Sequence, residues 1–226
     1  MAWTPHIQTA DVALTVAHGV LAHLIVAGQA PAMLWDGELR AYSHAAPILR
    51  VEEPLDLPHL GRTLTKGVYT LDASLDGLKP TNLAAQVLAG EQIRVRRVPA
   101  AVRALTTPQS VQQRVESWAA GRCGRATYNL AGLFGFLPRF LVGWLPAEAQ
   151  ASALSVVCSQ ESSLCLEDAY WDAVDHETGN AYDPVPWRAA KWTAPTHLAH
   201  RDARLENLHR PDGTSIWYLE KQHVAA

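Results

Sequence analysis

The hydrophobic pattern of this chain shifts from mainly alternating to mainly helical, and that change limits its fold more than any other feature. Up to Pro99 the extended segments alternate apolar and polar side chains; after Thr107 the spacing becomes helical. Residues 11–15 read as a short strand. Residues 40–51 read as a longer one, with Tyr42, His44, Ala46 and Ile48 on one side. Glu52-Glu53-Pro54 starts a turn, residues 59–71 read as the returning strand, and residues 92–98 alternate again. Two short helices fall among these strands. One covers 19–27, with Val20, Leu21, Leu24 and Ile25 on one face, and is followed by a loop over 28–37; the other covers 83–89. Thr107-Pro108-Gln109 then opens a helix through Ala120, with proline in the first turn, where its missing N–H costs little. Residues 121–124 break it, 126–135 and 139–144 are apolar, 146–153 are helical in composition, and 161–174 read as an amphipathic helix. Strands first and helices after imply an α+β domain in which a sheet packs on a helical layer. No repeat, low-complexity tract or linker divides the 226 residues, which suggests one domain with an irregular tail from about 176.

Composition limits the partners. With 48% hydrophobic and 18% charged residues, the chain is rich enough in apolar side chains for a core and too apolar for intrinsic disorder. A net charge of −3 implies no broad basic surface. Arg94, Arg96, Arg97 and Arg103 read as the solvated face of a strand rather than as a nucleic-acid patch. The apolar run over 12–27 is broken by His18 and His23 and is too short to span a bilayer, so no integral membrane segment is expected. The first six residues lack a basic stretch of the kind that opens a secretory signal. Cytoplasmic location is the default expectation, compatible with delivery by a phage or secretion system.

The chemistry centres on cysteine. The three cysteines, at 123, 158 and 165, cannot all pair, and their spacing is not that of a zinc ribbon. Cys158 follows Val156-Val157 and opens the helical stretch. A cysteine there faces unpaired backbone N–H groups and the positive end of the helix dipole, which favour the nucleophilic thiolate. Cys165 lies two turns further on and reads as core; Cys123 carries no assignment. His44, far upstream on a strand, supplies the imidazole that covalent acyl chemistry needs beside a thiol. A small core cysteine and a structural histidine are the plain alternatives. His197, His200 and His209 lack a decisive ligand pattern, and no Walker loop or dinucleotide fingerprint is present, so neither metal nor organic cofactor is expected. Asp172, Asp175, His176 and Glu177 read as a solvated cluster. Trp171, Trp187 and Trp192 read as a satellite apolar cluster or a cleft wall, and 130–144 as an apolar layer behind the cysteine helix or a contact for acyl chains.

Six short segments also occur in an order that matches a known family. They are Ala10-Asp11-Val12-Ala13-Leu14, Tyr42-Ser43-His44-Ala45-Ala46, Lys66-Gly67-Val68, Tyr128-Asn129-Leu130-Ala131-Gly132, Cys158-Ser159-Gln160 and Ala194-Pro195-Thr196-His197-Leu198. Together they resemble the circularly permuted NlpC-type, papain-like cysteine peptidases and amidases, especially the YiiX-like branch, over residues 10 to 204. The chain departs from that family at Ala10, where glycine is usual, and at Gln160, where glutamate is usual.

The resemblance implies a permuted papain-like fold with Cys158 as nucleophile and His44 as its base and acid. It implies a third polar residue on the strand after His44. His59 is the best polar candidate, Arg62 and Thr63 compete, and a cation such as Arg62 is a poor partner because an imidazolium needs an acceptor. It implies that Tyr128 helps stabilise the oxyanion, against the alternative of a buried tyrosine with a bonded hydroxyl. The expected activity is hydrolysis of an amide, as in cell-wall peptides (peptidoglycan fragments) or similar small peptides, through a thioester and without a cofactor. One alternative is a lipid-directed thiol hydrolase or acyltransferase on acyl substrates, as in the related lecithin:retinol acyltransferase group. Another is a non-catalytic binding or structural protein of a phage particle (virion) or secretion apparatus, which Gln160 keeps open.

Overall fold

The computed structural model describes residues 6–16, 42–74, 76–128, 155–156, 158–174, 181–186, 195–199, 203–209 and 218–219. Among these the chain is mixed α+β. An antiparallel sheet runs in the order β10-β7-β1-β2-β5-β6, with β11 also on β7. Its strands are β1 (Val12–Thr15), β2 (His44–Val51), β5 (Gly67–Ser74), β6 (Gly77–Asn82), β7 (Ile93–Arg97), β10 (Glu206–Asn207) and β11 (Tyr218–Leu219). A separate hairpin is made of β3 (Leu55–Leu57) and β4 (Arg62–Leu64). Two short parallel strands, β8 (Thr127–Tyr128) and β9 (Ser155–Val156), lead toward Cys158. The helices are α1 (Leu83–Leu88), α2 (Ala100–Arg103), α3 (Pro108–Arg122), α4 (Cys158–Ala169) and α5 (Pro195–Ala199).

Side chains alternate across the sheet as a two-residue period requires. Leu14, Ala45, Leu49 and Leu71 join the larger apolar cluster with Val115 and Ala119 of α3 and Leu166 and Ala169 of α4. Ala13, Ile48, Val68, Ile93 and Val95 face the other way, against Leu83 and Val87 of α1. Helix α3 starts where the sequence indicates: Pro108 is in its first turn and the Thr107 hydroxyl accepts from the Ser110 N–H at 3.1 Å. Its buried residues, Val111, Val115 and Ala119, recur every fourth position.

One local detail of β2 shapes the site. Residues 44–47 pair with β1, whereas residues 48–51 pair with β5. Pro47, which has no N–H to give, sits at the changeover. Toward His44 the β2–β5 ladder has therefore ended, and the two strands part.

Several expectations are corrected. The strand expected over 40–51 begins at His44, and Tyr42, ahead of it, joins the cluster of Ala45 rather than that of Ile48. No single strand covers 59–71: the β3–β4 hairpin with a 3-10 turn at Pro58–Leu60 uses the first part, and β5 starts at Gly67. The cysteine helix spans Cys158–Ala169 rather than 161–174. Arg94 and Arg96 are buried, not solvated. Arg94 donates to Asn207 and to the Tyr42 hydroxyl, Arg96 to the carbonyls of Leu198 and Leu205, and Arg97 pairs with buried Asp11 at 2.6 Å. The tail is not wholly irregular, since α5, β10 and β11 lie within it and both strands pair with β7. Strands this short add backbone bonds but carry no readable side-chain pattern. Trp171 is 65% exposed rather than packed. The helix expected over 19–27, the segment 130–153, Asp175, His176, Glu177, Trp187, Trp192 and His200 lie outside the described residues. Among those described, no helix is long and apolar enough to cross a membrane.

Candidate active site

Cys158 opens α4 and His44 opens β2, so both stand at element ends rather than mid-face. Their side chains hydrogen-bond to each other. The backbone N–H groups of Ala45 and Ser159 also point at the sulfur. The Ala45 contact follows from the strand parting: with no β5 residue paired there, the β2 edge offers its N–H to the cysteine. The Ser159 contact is the helix N-terminus in its usual anion-binding role.

On its other side the His44 ring meets Asp72. Nε2 lies 2.9 Å from Oδ1, which leaves Nδ1 for the sulfur. Asp72 follows the last β5 residue paired to β2 by two positions and shares a face with Thr70. Its second oxygen is held separately, by the Thr70 hydroxyl at 2.7 Å and the Gln86 amide of α1 at 3.1 Å. One carboxylate oxygen thus serves the histidine, and the other fixes the carboxylate to the sheet and to α1.

The electrostatics favour an ion pair. Burial works against a charged His44, but the Cys158 charge and the bonds to Asp72 and Cys158 outweigh it, and the imidazole is held well above its ordinary range. Burial likewise opposes a Cys158 thiolate. The charge and hydrogen bond of His44, followed by the two backbone N–H groups, outweigh it and hold the thiol below its ordinary range. Burial also pushes on Asp72, yet His44 and the Thr81 and Thr70 hydroxyls keep its carboxyl low. The other thiols behave oppositely: burial pushes Cys123 up to about 12 and Cys165 well above the ordinary thiol range. Cys165 is the core residue expected, and Cys123 is buried at the end of α3. Cys158 is itself only 2% exposed, while the His44 side chain keeps 19%, so approach runs past the ring.

The first turn of α4 is anchored from below. Glu161 is fully buried and bonded to Arg122 of α3 through both oxygens, at 3.0 Å to Nε and 2.5 Å to Nη2. The Arg122 guanidinium also lies 5.1 Å from the Trp118 ring centre. Gln160 is buried in the same turn. Ala10 adopts φ 67°, the left-handed region that favours glycine.

The structure brings together Cys158 and His44, as expected, but not His59. His59 is exposed on the 3-10 turn, where its carbonyl approaches Gly124, and the acceptor beside His44 is Asp72. The displacement has a simple cause. The β3–β4 hairpin consumes the residues that a direct return strand would have used. Arg62 and Thr63 lie in that hairpin, Thr63 bonded to Asp56. A sequence signal for Asp72 did exist: it is the one acid in its strand, set between Leu71 and Ala73. Tyr128 lies on β8, which pairs it with Val156, two residues before the cysteine. Among the described residues no group of three potential ligands is arranged to hold a metal ion.

No protein-family model matches the chain, and no curated protein matches it.

Proposed function

We propose that the protein is a cysteine-dependent hydrolase of amides in small peptides, built on a permuted papain-like fold, with Cys158, His44 and Asp72 as its catalytic group. The observation that carries this is the thiol–imidazole–carboxylate chain, in which both pKa displacements favour thiolate and imidazolium. Supporting the fold reading is the order of parts: a strand bearing the histidine, then a strand bearing its acceptor, then a late helix opened by the cysteine.

In this mechanism the Cys158 thiolate attacks the carbonyl carbon, forming an S–C bond and an oxyanion. The imidazolium gives its proton to the leaving nitrogen as the C–N bond breaks, leaving a thioester and a free amine. A water then loses a proton to His44 and attacks the thioester. The acid departs, and thiolate and imidazolium are restored. Asp72 accepts from Nε2 throughout, holding the ring plane and favouring its protonated form. Cell-wall peptides are the proposed substrate class.

The test is a panel of peptidoglycan fragments, other short peptides and short-chain esters, with products read by mass spectrometry. Amide cleavage by the native chain, absent in Cys158→Ser, supports the proposal. Ester cleavage alone would redirect it to acyl lipids, and no turnover of any member would count against an enzyme of this class.

A further inference from the structure

The two elements that carry the catalytic pair share a second feature at their far ends. Arg50 is the next-to-last residue of β2, and Tyr170 directly follows α4. Both border a cleft of about 430 Å3, within the size range of small-molecule sites. A 12-residue helix separates this cleft from Cys158, a distance of about 18 Å at helical rise. It is therefore no part of the reaction centre.

Its lining is amphipathic and positively charged. The Arg50 guanidinium is paired with Glu52, so Arg103 supplies the charge, and no acidic residue is among the described residues that line the cleft. Arg103 is held by neutral acceptors: Nε donates to the Val98 carbonyl at 3.0 Å and Nη1 to the Gln8 amide oxygen at 3.3 Å. Neither neutralises its charge. Buried Asp11 is ion-paired with Arg97 and attracts Arg103 only at longer range, without a hydrogen bond to it. Ala104 and Val111 give an apolar wall, and Tyr170 adds a ring whose hydroxyl, pushed by burial up to about 12, stays neutral. Gln112 is held by donating to the Arg50 carbonyl at 2.7 Å.

We infer that this cleft binds a small monoanion with an apolar body, a short aryl or acyl carboxylate. Its carboxylate meets the Arg103 guanidinium, and its body lies on Ala104, Val111 and Tyr170. A guanidinium favours a carboxylate over a neutral isostere through charge-assisted bonds.

The experiment is calorimetric titration of the full chain with 4-phenylbutyrate and, separately, with 4-phenylbutyramide. Expected are saturable binding of the carboxylate and binding about tenfold weaker or worse for the amide. Arg103→Gln is expected to weaken the carboxylate by about tenfold while leaving the amide unchanged. Ala104→Trp, placed on an exposed helix end, should fill the cleft and abolish both. Thermal unfolding of each variant checks that it is folded, and Cys158→Ser should bind as the native chain does. Absence of saturable 4-phenylbutyrate binding, equal affinity for the amide, or indifference to Arg103→Gln would each overturn the inference. Loss of binding on alkylating Cys158 would also overturn it, by placing the ligand at the catalytic cleft.

Discussion

Nε2 of His44 and Oδ1 of Asp72 stand 2.9 Å apart, and the other Asp72 oxygen is tied to Thr70 and Gln86. The contact is therefore directional: the carboxylate cannot swing away without breaking its own anchors. Asp72→Asn removes the charge but keeps the shape. Turnover is expected to fall roughly a hundredfold, the low end of what a positioned acid–base group contributes. His59→Ala, on an exposed turn, should leave turnover within about twofold of native. Equal losses in both variants would remove Asp72 from its role.

The pH behaviour follows from the signs of the shifts. Cys158 is held low, so its thiolate is lost only as pH falls through that depressed value, below the ordinary thiol pKa of about 8.5. His44 is held high, so its acid function is lost as pH rises through a value above the ordinary imidazole pKa of about 6.5. Turnover should be bell-shaped, with both limbs. Alkylation of Cys158 should show the acid limb alone, because thiolate persists after the ring deprotonates. In Asp72→Asn the alkaline limb of turnover should move to lower pH. A limb that stayed in place would mean that Asp72 does not sustain the imidazolium.

Glu161 and Arg122 join the cysteine helix to α3, and burial raises the Glu161 carboxyl despite the guanidinium beside it. Arg122→Met leaves that carboxylate buried without its partner, at an expected cost of about 3 kcal/mol at neutral pH. An acid held higher in the folded state contributes stability below its unfolded pKa and loses it as pH rises through the folded value. The deficit of Arg122→Met should therefore shrink on acidification. Urea unfolding at pH 5 and pH 8 measures this, and a deficit independent of pH would contradict it.

Ala10 sits at φ 67° and is 1% exposed. Left-handed backbone costs a non-glycine residue about 1–2 kcal/mol. Ala10→Gly relieves that cost but loses a buried methyl worth about 0.8 kcal/mol and about 0.4–1 kcal/mol through chain entropy. The net change should be within about 1 kcal/mol of zero, the small remainder of those opposing costs. Ala10→Val combines left-handed strain with overpacking and should cost about 2 kcal/mol or more. Chemical denaturation of the two variants separates these outcomes, and a mild Val variant would show that the backbone there relaxes freely.

What was legible in the sequence was local. Cys158 and His44 could be found because a thiol at a helix start and an imidazole on a strand have recognisable chemistry. Helix α3 could be found because its cap, proline and four-residue stripe agree. The acid at Asp72 was visible, but its place beside His44 was not, because it depends on where β5 begins, and an intervening hairpin moves that point. Arg94 and Arg96 misled for a related reason. Their alternation with Ile93 and Val95 is that of a half-solvated strand, but Leu198, Leu205 and Asn207, about a hundred positions later, bond to them there. Burial contributed by remote segments leaves no mark on the local pattern.

The most direct measurement is site-resolved alkylation of the folded chain with iodoacetamide, small enough for a sulfur that is 2% exposed, near pH 7. A thiol at about 12 is ionised there to only about one part in 10⁵, as for Cys123, and Cys165 is similarly suppressed. Cys158 should label at least about a hundredfold faster than either, and His44→Ala should abolish that preference. Labelling of Cys158 no faster than Cys123 and Cys165, or a preference that survives loss of the imidazole, would contradict the thiolate–imidazolium pair.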